Sequence, residues 1–349
     1  LNSRTPMARL SRRNRLLVLV AAVLLLSGLA TAATLHAAGR AAEKDRAQAG
    51  GPPVRSGTVT LDAPGRSVFR NMAWGPHRDE ITSVSTADLG GPRTASGIRC
   101  LRFHTAAGTG ICLQAVHGRL RDTYRAAVLD SHLRELRHYD LAGVPTRARV
   151  SPDGRSVAWT VFVSGDSYAG TAFSTRTSVL DTRTWTLDRD LEAYRFFLDD
   201  RLHRASDLNV WGVTFADANR FYATVATGGK TYLVGGDREA RTLHALHTNV
   251  ECPSLSPDGT RIAYKKRVQG ASSDAPWRLY VLDLRTLRES ATAERRNVDD
   301  QAVWRDGHTL VYSLPGDYGS DLWTVPADGS GKPALALKAA LAPAFTGRS

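Results

Sequence analysis

Glycine-flanked hydroxyls, scattered imidazoles and Asp-Gly pairs are the residues of this chain whose types could do chemistry. The segment GDSYAG at 165–170 brings Ser167 close to the Gly-x-Ser-x-Gly pattern that raises a nucleophilic serine on a strand-to-helix turn. Its second glycine comes one place late, however, and extended segments flank it. The run TGGKT at 227–231 has the lysine of a phosphate loop but lacks the leading glycine, and YLV follows it where a helix would be needed. A hairpin turn is the expected structure there. Ten histidines are dispersed. His132 and His138 lie in one strand-like segment without a third ligand near them, so solvent-facing side chains are expected. Each Asp-Gly pair offers a single carboxylate, whereas calcium needs about six oxygens. No catalytic residue, metal site or cofactor is therefore expected. The segment that could hold a ligand is the long polar connection at 163–175, with Ser164, Asp166, Ser167 and Tyr168 as contact groups and Trp211 approaching from the next unit. An Ω-like loop packed on its own unit is the competing reading.

The three cysteines point to location more than to catalysis. Cys100 and Cys112 flank a strand–turn–strand pattern whose facing residues lie about 4.5–5.5 Å apart, within disulfide reach. A Cys100–Cys112 bridge is expected in an oxidising compartment. Cys252 is expected to be a buried thiol.

The elements that position these residues repeat along the chain. RVSPDGRSVAWT at 149–160 aligns with SLSPDGTRIAYK at 254–265, and AVWRDGHTLVYS at 302–313 and VTFADANRFYAT at 213–224 are looser copies. In this unit a short strand ends in Ser-Pro-Asp-Gly. Proline presets φ, aspartate bonds the backbone ahead and glycine takes the left-handed position. A second strand alternates β-branched and aromatic residues. A further hairpin turns at Leu-Asp-x-Arg-Thr, at 180–184 and 282–286. Four strands recurring every 40–65 residues is the pattern of propeller blades. Anchors near Ala73, Leu101, Val150, Thr214, Leu255 and Val303 give six. The first blade is short by one strand, which residues 333–340 could supply.

The N-terminal part differs in composition. Residues 1–50 hold eight Lys/Arg against Glu43 and Asp45, so half of the net charge of +12 lies there. The remaining +6 is spread over loops without forming a stripe, and nucleic-acid binding is not expected. Arg9, Arg12, Arg13 and Arg15 precede an apolar run from Leu16 to Leu26, and Ala30-Thr-Ala32 follows. With Met7 as the start, these are the parts of a secretory signal peptide. An uncleaved anchor is equally supported, since about 24 uncharged residues can cross the hydrocarbon. Either reading places the body outside the cytoplasm. The expected organisation is a basic segment at 1–15, a signal or anchor helix at 16–36, a flexible linker at 37–56, a propeller at 57–340 and a disordered tail at 341–349.

The Ser-Pro-Asp-Gly-x-x-Ile/Val-Ala-Tyr/Trp unit, followed by Leu-Tyr/Trp-Val, resembles the WD-like repeat of TolB-type propellers. Over roughly residues 57–340 the chain is similar to the actinobacterial TolB-like translocation proteins. The resemblance implies an all-β, six-bladed β-propeller preceded by a signal or anchor helix. The same kind of blade also caps prolyl oligopeptidase-like hydrolases. TolB carries an α/β domain before its propeller that binds an inner-membrane partner, and only a linker stands at that place here. The function expected is a monomeric, non-catalytic scaffold of the cell envelope that binds an envelope protein or peptide. The alternative is a small-ligand or enzymatic propeller with its site in the central channel. A sensor signalling through the helix is a third reading, weakened by the dozen or so residues that precede that helix.

Overall fold

The computed structural model describes residues 11–44, 46, 51–118, 122–165 and 173–347. Two units are described separately: an N-terminal helix, and a propeller formed by residues 49–73 and 77–349. The helix spans Arg12–Lys44, and its stretch Arg12–Gly39 is long and apolar enough to cross a membrane. It runs on through residues 37–44, which the sequence reading assigned to a flexible linker. Ala, Arg, Glu and Lys dominate there and are good helix formers, so the helix is not interrupted at residue 37.

Among the described residues the strands form six sheets. Blades 2, 3, 5 and 6 are four-stranded meanders, in order Arg102–Ala106 to Glu135–Leu141, Val144–Val150 to Leu187–Asp188, Glu251–Leu255 to Glu289–Ala291, and Val303–Trp304 to Ala334–Leu337. Blade 4 runs from Asn209–Phe215 to Thr242–Thr248 and gains the hairpin Arg195–Leu198/Arg201–His203 on its outer edge. Blade 1 combines Arg66–Asn71, Glu80–Ser85 and Arg93–Arg99 with an inner strand from the far end of the chain, Ala340–Phe345. Val54–Ser56 is added in parallel outside.

This closure corrects the expectation in two respects. Ala334–Leu337 is the outer strand of blade 6, and Ala340–Phe345, of which residues 341–345 were expected in a tail, closes the ring. ALAPAF lacks the alternation of a strand and contains Pro343. It can pair because it is the last strand of its sheet, where a missing N–H costs no ladder bond on the open side.

The turns show why the repeats fold alike. In blade 3 Ser151 Oγ donates to Asp153 Oδ1 at 2.6 Å, Asp153 Oδ1 accepts from Arg155 N at 3.1 Å, and Ser151 Oγ accepts from Ser156 N at 2.9 Å. Blade 5 repeats this circuit with Ser256, Asp258, Thr260 and Arg261, and Gly154 and Gly259 sit at φ 72° and 70°. Looser copies keep only the aspartate: Asp217 accepts from Asn219 N and Arg220 N, and Asp306 from His308 N and Thr309 N. Asp181 and Asp283 do the same at the second hairpins, where the left-handed residues Trp185 and Leu287 come one place later in the turn.

Packing follows from the strand pattern. Blades stack face to face, and an apolar cluster fills each of the six seams, including Phe69, Val84 and Ala340 of blade 1 against Val303, Val311 and Leu322 of blade 6. The Cys100–Cys112 disulfide is present, with Cα atoms 5.4 Å apart, in the seam between blades 1 and 2. Cys112 faces Phe103 in the strand register, so Cys100 reaches it from just before the strand and is not its direct cross-strand partner.

Candidate functional site

The first strands of blades 2–6 and the closing strand of blade 1 surround a central channel with two parts. A constriction of about 40 Å³ is lined by Arg102, His104, Arg147, Arg149, Asp300 and Gln301, among others. Beyond it a funnel of about 480 Å³ opens at the C-terminal ends of all six inner strands, beside the Ser-Pro-Asp-Gly turns. Phe215, Leu255, Trp304 and Phe345 give the funnel apolar walls, and His104 and Arg149 belong to both parts.

The constriction is charged, in contrast to an apolar plug. Arg102, Arg147, Arg149 and Asp300 line it. Asp299, next to Asp300 in sequence, holds the Nζ of the fully buried Lys265, which lies 3.6 Å from Glu251 Oε2 and 3.7 Å from the centre of the Trp277 ring. Glu251 accepts from Arg267 Nε at 3.0 Å and Trp277 Nε1 at 3.1 Å. Burial pushes the Asp299 carboxyl up, but Lys265, Arg147 and Arg102 outweigh it and hold the group below its ordinary value. Arg147 donates to Cys252 Sγ at 3.4 Å and to the Thr146 carbonyl at 2.9 Å. Gln301 spans two blades, donating to Gly212, Val213 and Pro253 carbonyls. Those carbonyls lie where bulges interrupt the inner strands of blades 4 and 5, with Gly212 at φ 67° and Cys252 at φ 51°. The glutamine thus satisfies groups that the bulges release from the ladder.

His104 and Arg149 have a different relation. His104 Nδ1 is 3.1 Å from Val150 N, a donor, so Nε2 carries the ring hydrogen. Nε2 lies 3.1 Å from Arg149 Nη1, which is also a donor. Burial, reinforced by Arg149, pushes the imidazole well below its ordinary pKa and keeps it neutral. Burial likewise lowers the Arg149 guanidinium to about 10, against the attraction of Asp300.

The residues singled out in the sequence are distributed otherwise. Ser164 is exposed at the end of the strand Ser156–Ser164, while Asp166, Ser167 and Tyr168 lie outside the described residues. Trp211 does approach this connection, its ring 5.6 Å from that of Phe173, but it is 1% exposed within a cluster with Phe162, Cys252 and Trp277. Its role is packing, and it presents no surface to a ligand. TGGKT forms the expected hairpin turn, with Gly228 and Gly229 at φ 58° and 72°. His132 and His138 are on the surface, beside Ser131 and Glu135. No group of metal-ligating side chains is found among the described residues. His104, among the described residues the only histidine lining either part of the channel, has its two nitrogens at Val150 and Arg149, so neither is turned to a hydroxyl. Sequence reasoning missed this pair: RFHTA and RARV read as ordinary strands, and the two residues meet across a blade seam.

Fold and channel together define the class: a six-bladed β-propeller, closed by its C-terminal strand, with a charged constriction under a funnel of mixed polar and apolar lining. Among solved structures it is similar to TolB from Acinetobacter baumannii, at 18% identity and a TM-score of 0.51 over 80% of this chain and 66% of that one. A Mycobacterium tuberculosis puromycin-hydrolyzing peptidase matches at 15% identity and a TM-score of 0.49, over 79% of this chain and 44% of the peptidase. The β-propeller domain of the Trilobed protease from Pyrococcus furiosus matches at 14% identity and a TM-score of 0.40, over 66% of this chain and 69% of that one. The chain thus spans just under two thirds of TolB and under half of the peptidase. No family model matches the sequence, and no curated protein matches it. The likeness to TolB shows the fold, and at that level the resemblance carried by the repeats is borne out.

Proposed function

We propose that the chain is a non-catalytic binding propeller that receives a peptide or an extended protein segment in the funnel. The observation that carries this reading is the funnel itself. It is about 480 Å³, within the range of ligand pockets, and its lining combines aromatic and aliphatic side chains with polar ones such as His104, Arg149 and Thr214. The lack of a nucleophile facing His104 supports binding over catalysis. Location outside the cytoplasm, anchored by or cleaved from the N-terminal helix, is part of the proposal. The apolar helix and the disulfide in the seam of blades 1 and 2 support it.

Ala216 is exposed and lines the funnel just after the inner strand of blade 4. In cells carrying the full chain, crosslinking should capture an envelope protein or peptide, and Ala216→Trp should cut that capture at least tenfold without changing the melting temperature. Equal capture by the two proteins would remove the funnel as the binding site.

A further inference from the structure

We propose that the base of the funnel is a carboxylate-binding subsite formed by Arg149 and His104, which takes the free carboxylate of a peptide terminus or of a small organic acid. The inference rests on the funnel being a ligand site and specifies what its base recognises.

Two hydrogen-bond donors, Arg149 Nη1 and His104 Nε2, face each other there without an acceptor. Arg149 is 8% exposed, and its Nε has no hydrogen-bond partner. Its Nη1 faces His104 Nε2, and the bond from Val150 N to Nδ1 makes that nitrogen a donor too. A neutral imidazole has one acceptor nitrogen, and a guanidinium has none, so the 3.1 Å contact cannot be a hydrogen bond in either direction. Burying a donor without a partner is costly, and natural folds rarely leave one. Asp300 lines the constriction and attracts Arg149 through space.

The neighbouring cations differ. Arg147 donates to Cys252 and Thr146, and Lys265 is held by Asp299 and Glu251. Arg149 is the cation that lines both the constriction and the funnel, and its Nη1 faces another donor. A carboxylate oxygen can accept from Arg149 Nη1–H, a charge-assisted bond stronger than one between neutral groups. Its oxygens can also accept from His104 Nε2–H, so a single group satisfies both donors that face each other. The apolar walls above would accommodate whatever carries that carboxylate.

The test uses the full chain in detergent micelles, with N-acetylphenylalanine, its amide and acetate as probes, read by thermal unfolding and calorimetric titration. At saturation the free acid should raise the melting temperature by about 2–4 °C, and the amide by less than a quarter of that. Acetate giving the full shift would assign the site to small acids. A shift seen only with N-acetylphenylalanine would assign it to peptide termini. Arg149→Met should abolish the response to acid, and Arg149→Lys should keep part of it, with circular dichroism confirming that both fold. Equal shifts with acid and amide, or an undiminished response in folded Arg149→Met, would overturn the proposal and leave water as the partner of Nε. Capture of a protein segment by wild type and Arg149→Met alike, with no preference for free acids, would sink the subsite but leave the binding propeller standing. A response to free acids without any captured segment would do the reverse.

Discussion

Blades 1 and 5 solve the same structural problem by opposite means. Blade 5 is made from consecutive residues, 251–291, and its turns are set by local circuits around Asp258 and Asp283. Blade 1 borrows its inner strand from residues 340–345 and fastens it with a buried cation. Arg93 is 2% exposed and lies 5.2 Å from the centre of the Phe69 ring. Its Nη1 donates to Asn71 Oδ1 at 3.1 Å and to the Ala339 carbonyl at 3.0 Å, and its Nη2 to the Lys338 carbonyl. Asp321 Oδ1 accepts from Ala339 N at 2.7 Å beside it. Burial lowers the Arg93 guanidinium to about 10, with Asp321 opposing. Local turns are enough where strands follow one another. Where the joined segments lie far apart in sequence, loop-closure entropy is larger and a specific buried clasp stands at the joint.

Removing residues 340–347 breaks the comparison most completely. It leaves the strand Arg66–Asn71 as an open inner edge, and loss of the cooperative unfolding transition is expected, with association visible by analytical ultracentrifugation. A truncated chain that melts like the full one would show that closure contributes little.

Arg93→Ala should cost about 3 kcal/mol, because it strands buried carbonyls as well as removing the cation. Asp258→Ala in the exposed turn of blade 5 should cost about 1 kcal/mol. Chemical denaturation of both variants measures the ratio, and equal costs would refute the special role of the clasp.

The smallest effect is a pH dependence arising at the channel wall, between these two blades in the ring. His104 has a folded pKa far below its unfolded value of 6.5, so the unfolded chain binds the proton first. Its contribution is complete above pH 6.5 and is lost as the pH falls below it. Glu192 acts in the opposite sense. Burial raises it to about 8, against hydrogen bonds from Thr177 N and Thr175, so its contribution falls as the pH rises from 4.5 to 8. The difference between wild type and His104→Asn, which keeps an acceptor for Val150 N, isolates the histidine. That difference should be flat above pH 7 and slope below 6.

What could be read from the sequence tracks the range of the interaction. The turns at 151–154 and 256–259 were legible because Ser, Asp and Gly act on neighbours within five residues. The disulfide pair was legible for the same reason, at a separation of 12. The closing strand was not, since ALAPAF gains its pairing from residues some 270 positions earlier and its proline argues against a strand. Helix continuation through 37–44 was missed because small and charged residues serve linkers and helices alike. Trp211 looked like a contact group because an aromatic beside glycine suits an exposed loop, yet the inner strand turns it into the protein. His104 and Arg149 become a site only when blades 2 and 3 pack, across 45 residues.

The closing strand also sets an order of events. A chain that emerges N-terminus first can complete blades 2 to 6 as their residues arrive, but blade 1 must wait for residue 345. Until then Arg66–Asn71 presents unpaired backbone, and the ring can neither shut nor form its last seam. Maturation is therefore gated by the arrival of the final strand. A chain stalled or clipped before residue 340 would persist as an open, sticky arc, so the intact propeller certifies that the chain was made or moved through to its last strand.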